Sequence, residues 1–316
     1  MKQLRLGTRG STLALTQSRT VKARLEASAP VEVELQVITT KGDRYQDRPL
    51  PEIGGKGLFT AELDRALLDG EIDFAVHSLK DLPTAQVEGL EVACIPERED
   101  PRDVLIGPLG RPVTLSSLPA GATLGTSSLR RRALALAFRP DLRVESIRGN
   151  LDTRIRKVDE GVCDALIVAG AGVRRLGMED RIGEYMERTA WLPAPAQGAL
   201  GIVARSDDSE VRSILQTIDD PEATRAARAE RALLARLEGG CQVPIAALGL
   251  PFDGGLRLWG LVASVDGSRV VREDRTGSAD DPDALGRAVA EELLARGADE
   301  ILSEVDTMAR GPHPRA

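Results

Sequence analysis

The sequence predicts an α/β protein with two βα lobes joined by a hinge and a smaller α+β domain at the C-terminus. Short apolar segments alternate with helical patterns along the first two thirds of the chain, as in parallel α/β sheets. The proline-rich segment 191–197 leads back to an apolar strand at 199–203, which indicates a second crossover between the lobes. Beyond residue 219, a long helix is followed by alternating strands and turns, a pattern typical of an α+β module.

Length and composition limit the class of protein. A chain of 316 residues is too long for one ordinary core, and its 42% hydrophobic and 29% charged residues are typical of globular proteins. The net charge of −7 argues against bulk nucleic-acid binding. Cys94, Cys163 and Cys241 are too widely spaced to indicate disulfides or a zinc site. With no signal-peptide pattern and no membrane-spanning run, we expect a cytoplasmic protein with no nucleic-acid or membrane partner.

The first lobe is expected to have the order β-α-β-α-β-β. Its strands lie at 4–8, 31–40, 72–76 and 90–95, and its helices begin at Ser11 and Leu58. Segment 41–57 is long and irregular, and three glycines surround Lys56. Such a segment is typical of a lid or binding loop, although a surface loop without function also explains it.

Segment 72–84 carries the most concentrated polar chemistry. An apolar strand ends at Val76, and a polar turn that includes Lys80 and Asp81 follows before Pro83 stops regular structure. Ligands of open α/β sheets collect at the carboxyl ends of strands. The segment is therefore a candidate site, with a solvated loop as the alternative.

Arginines recur where predicted strands run into helices. The four junctions are 8–11 with Arg9, 125–132 with three consecutive arginines, 147–154, and 169–175. The positive end of a helix dipole disfavours arginine in the first turn, so Arg130, Arg131 and Arg132 together predict an anion among them. A solvated helix face is the alternative for one or two of these residues.

The last third begins with a helix at 222–237 that ends at two glycines, directly before Cys241. Strands at 256–265 and 270–272 and a helix at 282–296 follow, and we expect the tail after Ile301 to be frayed. The expected domains are 1–98 with 192–218, 99–191, and 219–316.

The arginine junctions predict a ligand with several carboxylates or phosphates, because the guanidinium fork binds either group bidentately. The sequence contains no Walker motif and no dinucleotide fingerprint after a strand, so several carboxylates on one extended ligand fit better. Asp81 would then be an acid among cations. A fixed carboxylate in such a site can stabilise a developing cation or accept an N–H.

Seven segments, in order, resemble the family of hydroxymethylbilane synthase, also called porphobilinogen deaminase. They are LGTRGS (6–11), GGKGLF (54–59), AVHSLKD (75–81), GTSSLRR (125–131), RGN (148–150) with Arg154, PAQG (195–198) and GGC (239–241). The resemblance runs from about residue 4 to 245. It implies lobes like type II periplasmic-binding-protein domains.

The resemblance also implies an activity. Enzymes of this family join four porphobilinogen molecules head to tail, release ammonia at each step, and free the linear tetrapyrrole by hydrolysis. They build on a dipyrromethane cofactor held by a thioether, which the resemblance places on Cys241. The substrate partner would be porphobilinogen, and we expect a monomer.

The resemblance assigns residues to roles one by one. Asp81 would be the catalytic carboxylate. The cofactor would be bound by Cys241, Lys80, Ser128, Arg130, Arg131 and Gly172. The substrate would be bound by Arg9, Ser11, Gln17, Lys56, Phe59, Thr126, Arg148, Asn150, Arg154, Arg175 and Gln197. No metal is implied, and His77 is expected to be structural. Glu52 departs from the pattern, because some relatives carry a lysine there.

Two other function classes compete with this hypothesis. A hinged, non-catalytic protein that binds an anionic solute would share the two-lobe plan, but it would leave Asp81 and Cys241 without a role. A nucleic-acid binder is disfavoured by the acidic balance and by an aromatic content of 3%.

Overall fold

The computed structural model of the chain describes residues 1–40, 42, 60–237 and 243–310. Within these residues the strands form two five-stranded sheets and one three-stranded sheet. The expectation of a mixed α/β fold with two lobes and a smaller third unit is confirmed. The predicted domain boundaries at 98, 191 and 218 stay a prediction.

The first lobe is built on the sheet order β2-β1-β3-β10-β4. Its elements are β1 (Lys2–Thr8), α1 (Thr12–Ser28), β2 (Val31–Val37), α2 (Ala61–Leu68), β3 (Phe74–Ser78), β4 (Leu90–Cys94) and β10 (Leu200–Arg205). β1, β2 and β3 run parallel, and β10 is antiparallel to its neighbours β3 and β4. The strand after the proline-rich segment therefore lies inside the first sheet.

The second lobe repeats this plan with the order β7-β6-β8-β5-β9. Its elements are β5 (Asp103–Ile106), β6 (Thr123–Gly125), α3 (Leu129–Phe138), β7 (Arg143–Glu145), α4 (Leu151–Asp159), β8 (Ala165–Ala169), α5 (Gly170–Arg175) and β9 (Ile182–Tyr185). β5 is antiparallel to β8 and β9. In each lobe the antiparallel strand is the one that directly follows a crossover.

The third unit is an antiparallel sheet, β11-β12-β13, packed on helices. Following α6 (Ser209–Leu215), its elements are α7 (Pro221–Arg236), β11 (Ile245–Phe252), β12 (Gly255–Ala263), β13 (Val270–Gly277), α8 (Pro282–Leu293) and α9 (Asp299–Arg310). The expectation of a frayed tail after Ile301 is wrong for residues 302–310, which continue α9, and residues 311–316 lie outside the described residues. Ile301 and Val305 are buried, because the apolar side of α9 covers the core of this unit.

A buried carboxylate connects the third unit to both crossovers. Glu230 on α7 is fully buried and pairs with Arg98 through two hydrogen bonds of 2.7 and 3.0 Å. Its carboxylate also accepts the backbone N–H of Ala196, at 2.5 Å, and of Gly249, at 2.7 Å. Arg98 lies on the first crossover, the connection from β4 to β5, and Ala196 lies on the second, which leads to β10, so one side chain holds both.

Candidate active site

A cavity of about 410 Å³ is lined by residues of both lobes. Its walls come from the carboxyl ends of β1, β3, β6, β7 and β8 and from the first turns of the helices that follow them. The predicted arginine junctions and segment 72–84 therefore meet at one place, as the carboxyl-end rule for α/β sheets requires.

The β1–α1 junction forms one wall. Ser11 is the N-cap of α1, and its hydroxyl accepts the N–H of Ala14 at 3.3 Å, as the sequence predicted. Gln17, one turn further on, donates from Nε2 to the hydroxyl of Ser78 at 3.1 Å. These contacts join the first helix to the end of β3. Arg9 lines the cavity at the same junction.

The end of β3 forms the floor. The strand continues to Ser78 rather than ending at Val76, and the 3₁₀ turn Leu79–Asp81 follows. Leu79 is fully buried and anchors the turn, and Lys80 and Asp81 line the cavity. Asp81 is exposed, whereas Lys80 is partly buried.

Lys80 is held by an amide. Its Nζ lies 3.3 Å from Oε1 of Gln197. Burial lowers the pKa of Lys80 to about 8, and the charge of Arg131 contributes to this decrease. The charge of Asp81 acts in the opposite direction but does not outweigh burial. The ammonium is therefore more easily deprotonated than that of an exposed lysine.

His77 is a second buried group on the cavity wall. It is 6% exposed, and its Nε2 atom has no hydrogen-bond partner. Burial, assisted by the charge of Arg9, lowers the pKa of His77 to about 4. The imidazole is therefore neutral at physiological pH.

The second lobe contributes four arginines to the cavity: Arg131, Arg148, Arg154 and Arg175. Arg154 donates from Nε to the carbonyl of Gly149 at 2.7 Å, and burial lowers its pKa. Arg175 donates to the carbonyl of Gly198 at 2.6 Å, and burial lowers its pKa to about 10. These backbone bonds hold the guanidinium groups in place.

The consecutive arginines of α3 have different environments. Arg130 is 3% exposed, does not line the cavity, and donates from Nη1 to Asp103 at 2.7 Å and to the carbonyl of Leu192 at 2.8 Å. Arg131 also pairs with Asp103 but reaches the cavity. One anion among these arginines is thus a carboxylate of the chain itself. Arg132 donates to the carbonyl of Val144 at 2.9 Å.

The structure brings together most of the residues that the sequence singled out. Those that line the cavity are Arg9, Ser11, Gln17, Lys80, Asp81, Arg131, Arg148, Asn150, Arg154, Gly172 and Arg175. Those that do not are Thr126, Ser128, Arg130 and Gln197. Lys56, Phe59 and Cys241 lie outside the described residues.

Three polar residues at or near the site were not singled out from the sequence. Ser127 lines the cavity and donates to the carbonyl of Ile147 at 2.5 Å, whereas the predicted Ser128 caps α3 by accepting the N–H of Arg131. Asp103, the partner of Arg130 and Arg131, carried no local signal beyond its place at the start of a strand. Asp152 on α4 also lines the cavity.

The arrangement favours a polyanion. Five arginines and Lys80 line one cavity, and Asp81 lies among them as a carboxylate that could accept N–H groups or stabilise a cation. Among the described residues there is no group of His, Cys, Asp and Glu that could hold a metal ion. No helix in the described ranges is long and apolar enough to cross a membrane.

Comparisons with known proteins agree with this geometry. The family model "Porphobilinogen deaminase, dipyromethane cofactor binding domain" matches residues 4–213, and "Porphobilinogen deaminase, C-terminal domain" matches residues 224–295. The porphobilinogen deaminase of Geobacter sulfurreducens is 53% identical over 306 residues, which cover 96% of this chain and 95% of that protein. That of Pelobacter propionicus is 52% identical over 305 residues, 96% and 97% of the two chains.

Among solved structures, an arginine-specific periplasmic binding protein of Salmonella typhimurium has a TM-score of 0.40 and 14% identity, covering 71% of this chain and 97% of that one. The relatives and the two family models together span nearly the whole sequence. We conclude that the chain belongs to the porphobilinogen deaminase family and has the hydroxymethylbilane synthase activity of these transferases.

Proposed function

We propose that the cavity is where this chain joins porphobilinogen units head to tail, with ammonia released at each step and the linear tetrapyrrole freed by hydrolysis. The observation that carries the proposal is the exposed carboxylate of Asp81 within a cavity lined by Arg9, Arg131, Arg148 and other cations. Each pyrrole unit bears an acetate and a propionate. The cavity therefore matches the ligand in charge and in the spread of its donors.

The donor set also fits a dipyrromethane cofactor. Lys80, Arg131 and Gly172 all line the cavity. A Cβ added at Gly172 would lie 3.0 Å from Leu151 and 3.6 Å from Leu13, so a larger side chain would crowd this wall. When bound, the cofactor would supply the pyrrole to which the first substrate unit is joined. We propose attachment through the thiol of Cys241, since a thiolate is a suitable nucleophile for a methylene electrophile.

The cations act as carboxylate receptors. Arg131, Arg154 and Arg175 are fixed by protein hydrogen bonds, so they pay little ordering entropy when a carboxylate binds. Arg9 and Arg148 face the same space, and Ser11, Gln17 and Asn150 add polar contacts. A second set of residues lies outside the cavity lining and supports the residues that line it: Thr126, Ser128, Arg130 and Gln197. We further propose that Lys56 and Phe59 contact the substrate.

Asp81 stabilises the positive charge that develops on the substrate. The aminomethyl nitrogen leaves in its protonated form: the carbon–nitrogen bond breaks with its electron pair on nitrogen, which departs as neutral ammonia and leaves the positive charge on the substrate pyrrole. The carboxylate of Asp81 lowers the energy of that cation and accepts its N–H. The terminal pyrrole, which the bound cofactor would supply for the first unit, would provide the α-carbon that bonds to the methylene carbon and then gives up its proton.

We propose that the active unit is a monomer. Cys94 and Cys163 are buried, free thiols, which supports a reducing compartment, the cytoplasm.

Asp81→Asn tests the catalytic role. The amide keeps the size and the acceptor oxygen but removes the charge, so we expect kcat to fall by at least about 100-fold, as for loss of one electrostatic stabiliser. Product formation from porphobilinogen is the measurement, and intact mass checks that the cofactor is still attached. Asp152→Asn removes the other carboxylate among the described residues of the cavity wall and serves as the matched control. A near-normal kcat in Asp81→Asn would refute the role.

Cys241→Ser tests the covalent attachment. We expect the intact mass of the purified protein to exceed the sequence mass by one dipyrromethane, and Cys241→Ser to lose that increment because a serine hydroxyl is not ionised near neutral pH. Cys163→Ser is the control and should keep the added mass. An increment that persists in Cys241→Ser would place the attachment elsewhere.

A further inference from the structure

The carboxylate of Asp103 is the most heavily bonded buried group in the described part of the second lobe. The residue is fully buried at the start of β5, where the first crossover enters the lobe. Its two oxygens accept from the side chains of four residues at 2.7 to 3.0 Å: Arg130, Arg131, Trp191 and Gln197. Trp191 and Gln197 lie on the second crossover. Asp103 thus links α3 to both connections between the lobes.

Gln197 connects Asp103 to two residues of the cavity wall. Its Nε2 donates to Asp103 at 2.8 Å and to the carbonyl of Pro101 at 2.7 Å, which fixes the orientation of the amide. Its Oε1 therefore points to the donors Lys80, at 3.3 Å, and Arg131, at 3.2 Å. Lys80 belongs to the first lobe and Arg131 to the second. One carboxylate and one amide thus set the separation of two cations from opposite lobes.

The charge balance explains why the carboxylate must be there. Burial raises the pKa of Asp103, but the charges and hydrogen bonds of Arg130 and Arg131 outweigh burial and hold it below its usual range. Asp103 itself does not line the cavity. Any effect that it has on a ligand must therefore pass through Arg131 or Lys80.

We propose that Asp103 is a positioning residue that holds the Arg131 guanidinium and, through Gln197, the Lys80 ammonium at the separation needed to bind carboxylates of the pyrrole chain. Two of the Arg131 nitrogens, Nε and Nη2, are occupied by Asp103 and Gln197. The fork is therefore locked in one orientation before a ligand arrives. This inference rests on the carboxylate-binding role proposed above for Arg131 and Lys80.

The alternative is that Asp103 only forms a structural ion pair. Measuring the stability of a variant does not distinguish this structural role from a positioning role. Removing one partner of a buried pair destabilises a protein whether or not the pair positions a ligand group. A structural role would reduce the amount of folded enzyme and leave the KM of the folded fraction unchanged. A positioning role would raise KM more than it lowers kcat, because Arg131 and Lys80 bind groups away from the reacting bond.

The test compares Asp103→Asn with Asp73→Asn in the full-length protein. Asp73 is also a carboxylate held by an arginine fork, since Arg5 donates to it at 2.7 and 3.2 Å, but it does not line the cavity. We expect Asp103→Asn to raise the KM for porphobilinogen by about tenfold, equivalent to 1.4 kcal/mol, and to lower the fraction of protein that carries the dipyrromethane mass. Asp73→Asn should leave both unchanged. An unchanged KM and loaded fraction in Asp103→Asn would overturn the proposal.

A double-mutant cycle separates this inference from the proposed function. Arg131→Lys keeps the charge but loses the fork, and it should raise KM by itself. If Asp103 acts through Arg131, adding Asp103→Asn to Arg131→Lys should raise KM by well under tenfold. Fully additive effects would overturn the positioning role. An Arg131→Lys variant with the original KM would instead contradict the proposed function of Arg131.

Gln197→Met provides a second variant in case Asp103→Asn does not fold. It removes the bridging amide while Asp103 keeps its ion pairs with Arg130 and Arg131, so Lys80 loses its contact with the network. We expect an increase in KM with little change in melting temperature. A lower melting temperature with the original KM would show that the network is structural only.

Discussion

Neighbouring residues of one helix show how burial decides the role of a charge. Arg130 and Arg131 differ by one position on α3, yet only Arg131 lines the cavity. Arg130 is used to neutralise Asp103, which is 0% exposed and would otherwise be an uncompensated buried charge. The adverse placement of arginines at the start of a helix did indicate an anion. That anion includes a protein carboxylate 27 residues away.

His77 makes the pH dependence of stability a residue-scale prediction. Its pKa of about 4 in the folded protein lies below the ordinary 6.5, so between these values the unfolded chain binds a proton that the native protein does not. His77 therefore costs stability as the pH falls below about 6.5 and costs none above it. Lowering the pH to 5 should cost about 2 kcal/mol through this residue.

Urea unfolding of the wild type and of His77→Gln at pH 7.5 and pH 5 measures this contribution. The loss of unfolding free energy on acidification should be smaller in His77→Gln by that amount, since the glutamine does not titrate. Equal losses in the two proteins, or an NMR titration of His77 centred near 6.5, would contradict the burial argument.

At the scale of elements, the features that could be predicted from the sequence are those that depend on neighbouring residues. Each strand-to-helix junction is an apolar run followed by a cap and polar side chains, so Ser11, Arg9 and Asp81 were identifiable from their neighbours alone. β9 was missed because Ile182–Tyr185 is short and half-buried throughout, without alternation. β11 was obscured by Pro251, which is tolerated because β11 is an edge strand.

Pairings between distant segments could not be predicted. Asp103 and Gln197 are 94 residues apart, and no periodicity links them. Thr126 and Ser128 were assigned to the ligand, but Thr126 accepts the backbone N–H of Ser128 and Ser128 caps α3, while Ser127 between them lines the cavity. A run of hydroxyl residues does not reveal which one faces a cleft. That depends on the turn geometry at the end of β6.

For the whole molecule, Glu230 determines how the third unit is joined to the lobes. It is buried and pairs with Arg98 while accepting N–H groups from the second crossover and from β11. Glu230→Gln would leave Arg98 as an unpaired charge that is 10% exposed. We expect a loss of about 3–5 kcal/mol in the free energy of unfolding, as for other broken buried pairs.

The control for this prediction lies on the same helix. Arg236 near the end of α7 pairs with Glu291, but their side chains are 42% and 57% exposed. Solvent screens such a pair, so Glu291→Gln should cost less than about 1 kcal/mol. Chemical denaturation of both variants is the measurement, and losses of similar size would show that Glu230 has no special part in joining the units.

The position of β10 has a consequence for how the chain matures. The first sheet needs Leu200–Arg205 between β3 and β4, so it is incomplete until that strand has left the ribosome. All five strands of the second sheet lie between residues 103 and 185 and emerge earlier. The second lobe can therefore fold while the first lobe still lacks β10. β3, which leads into Asp81, cannot pair with β10 until the segment that carries Gln197 and β10 itself have been synthesised.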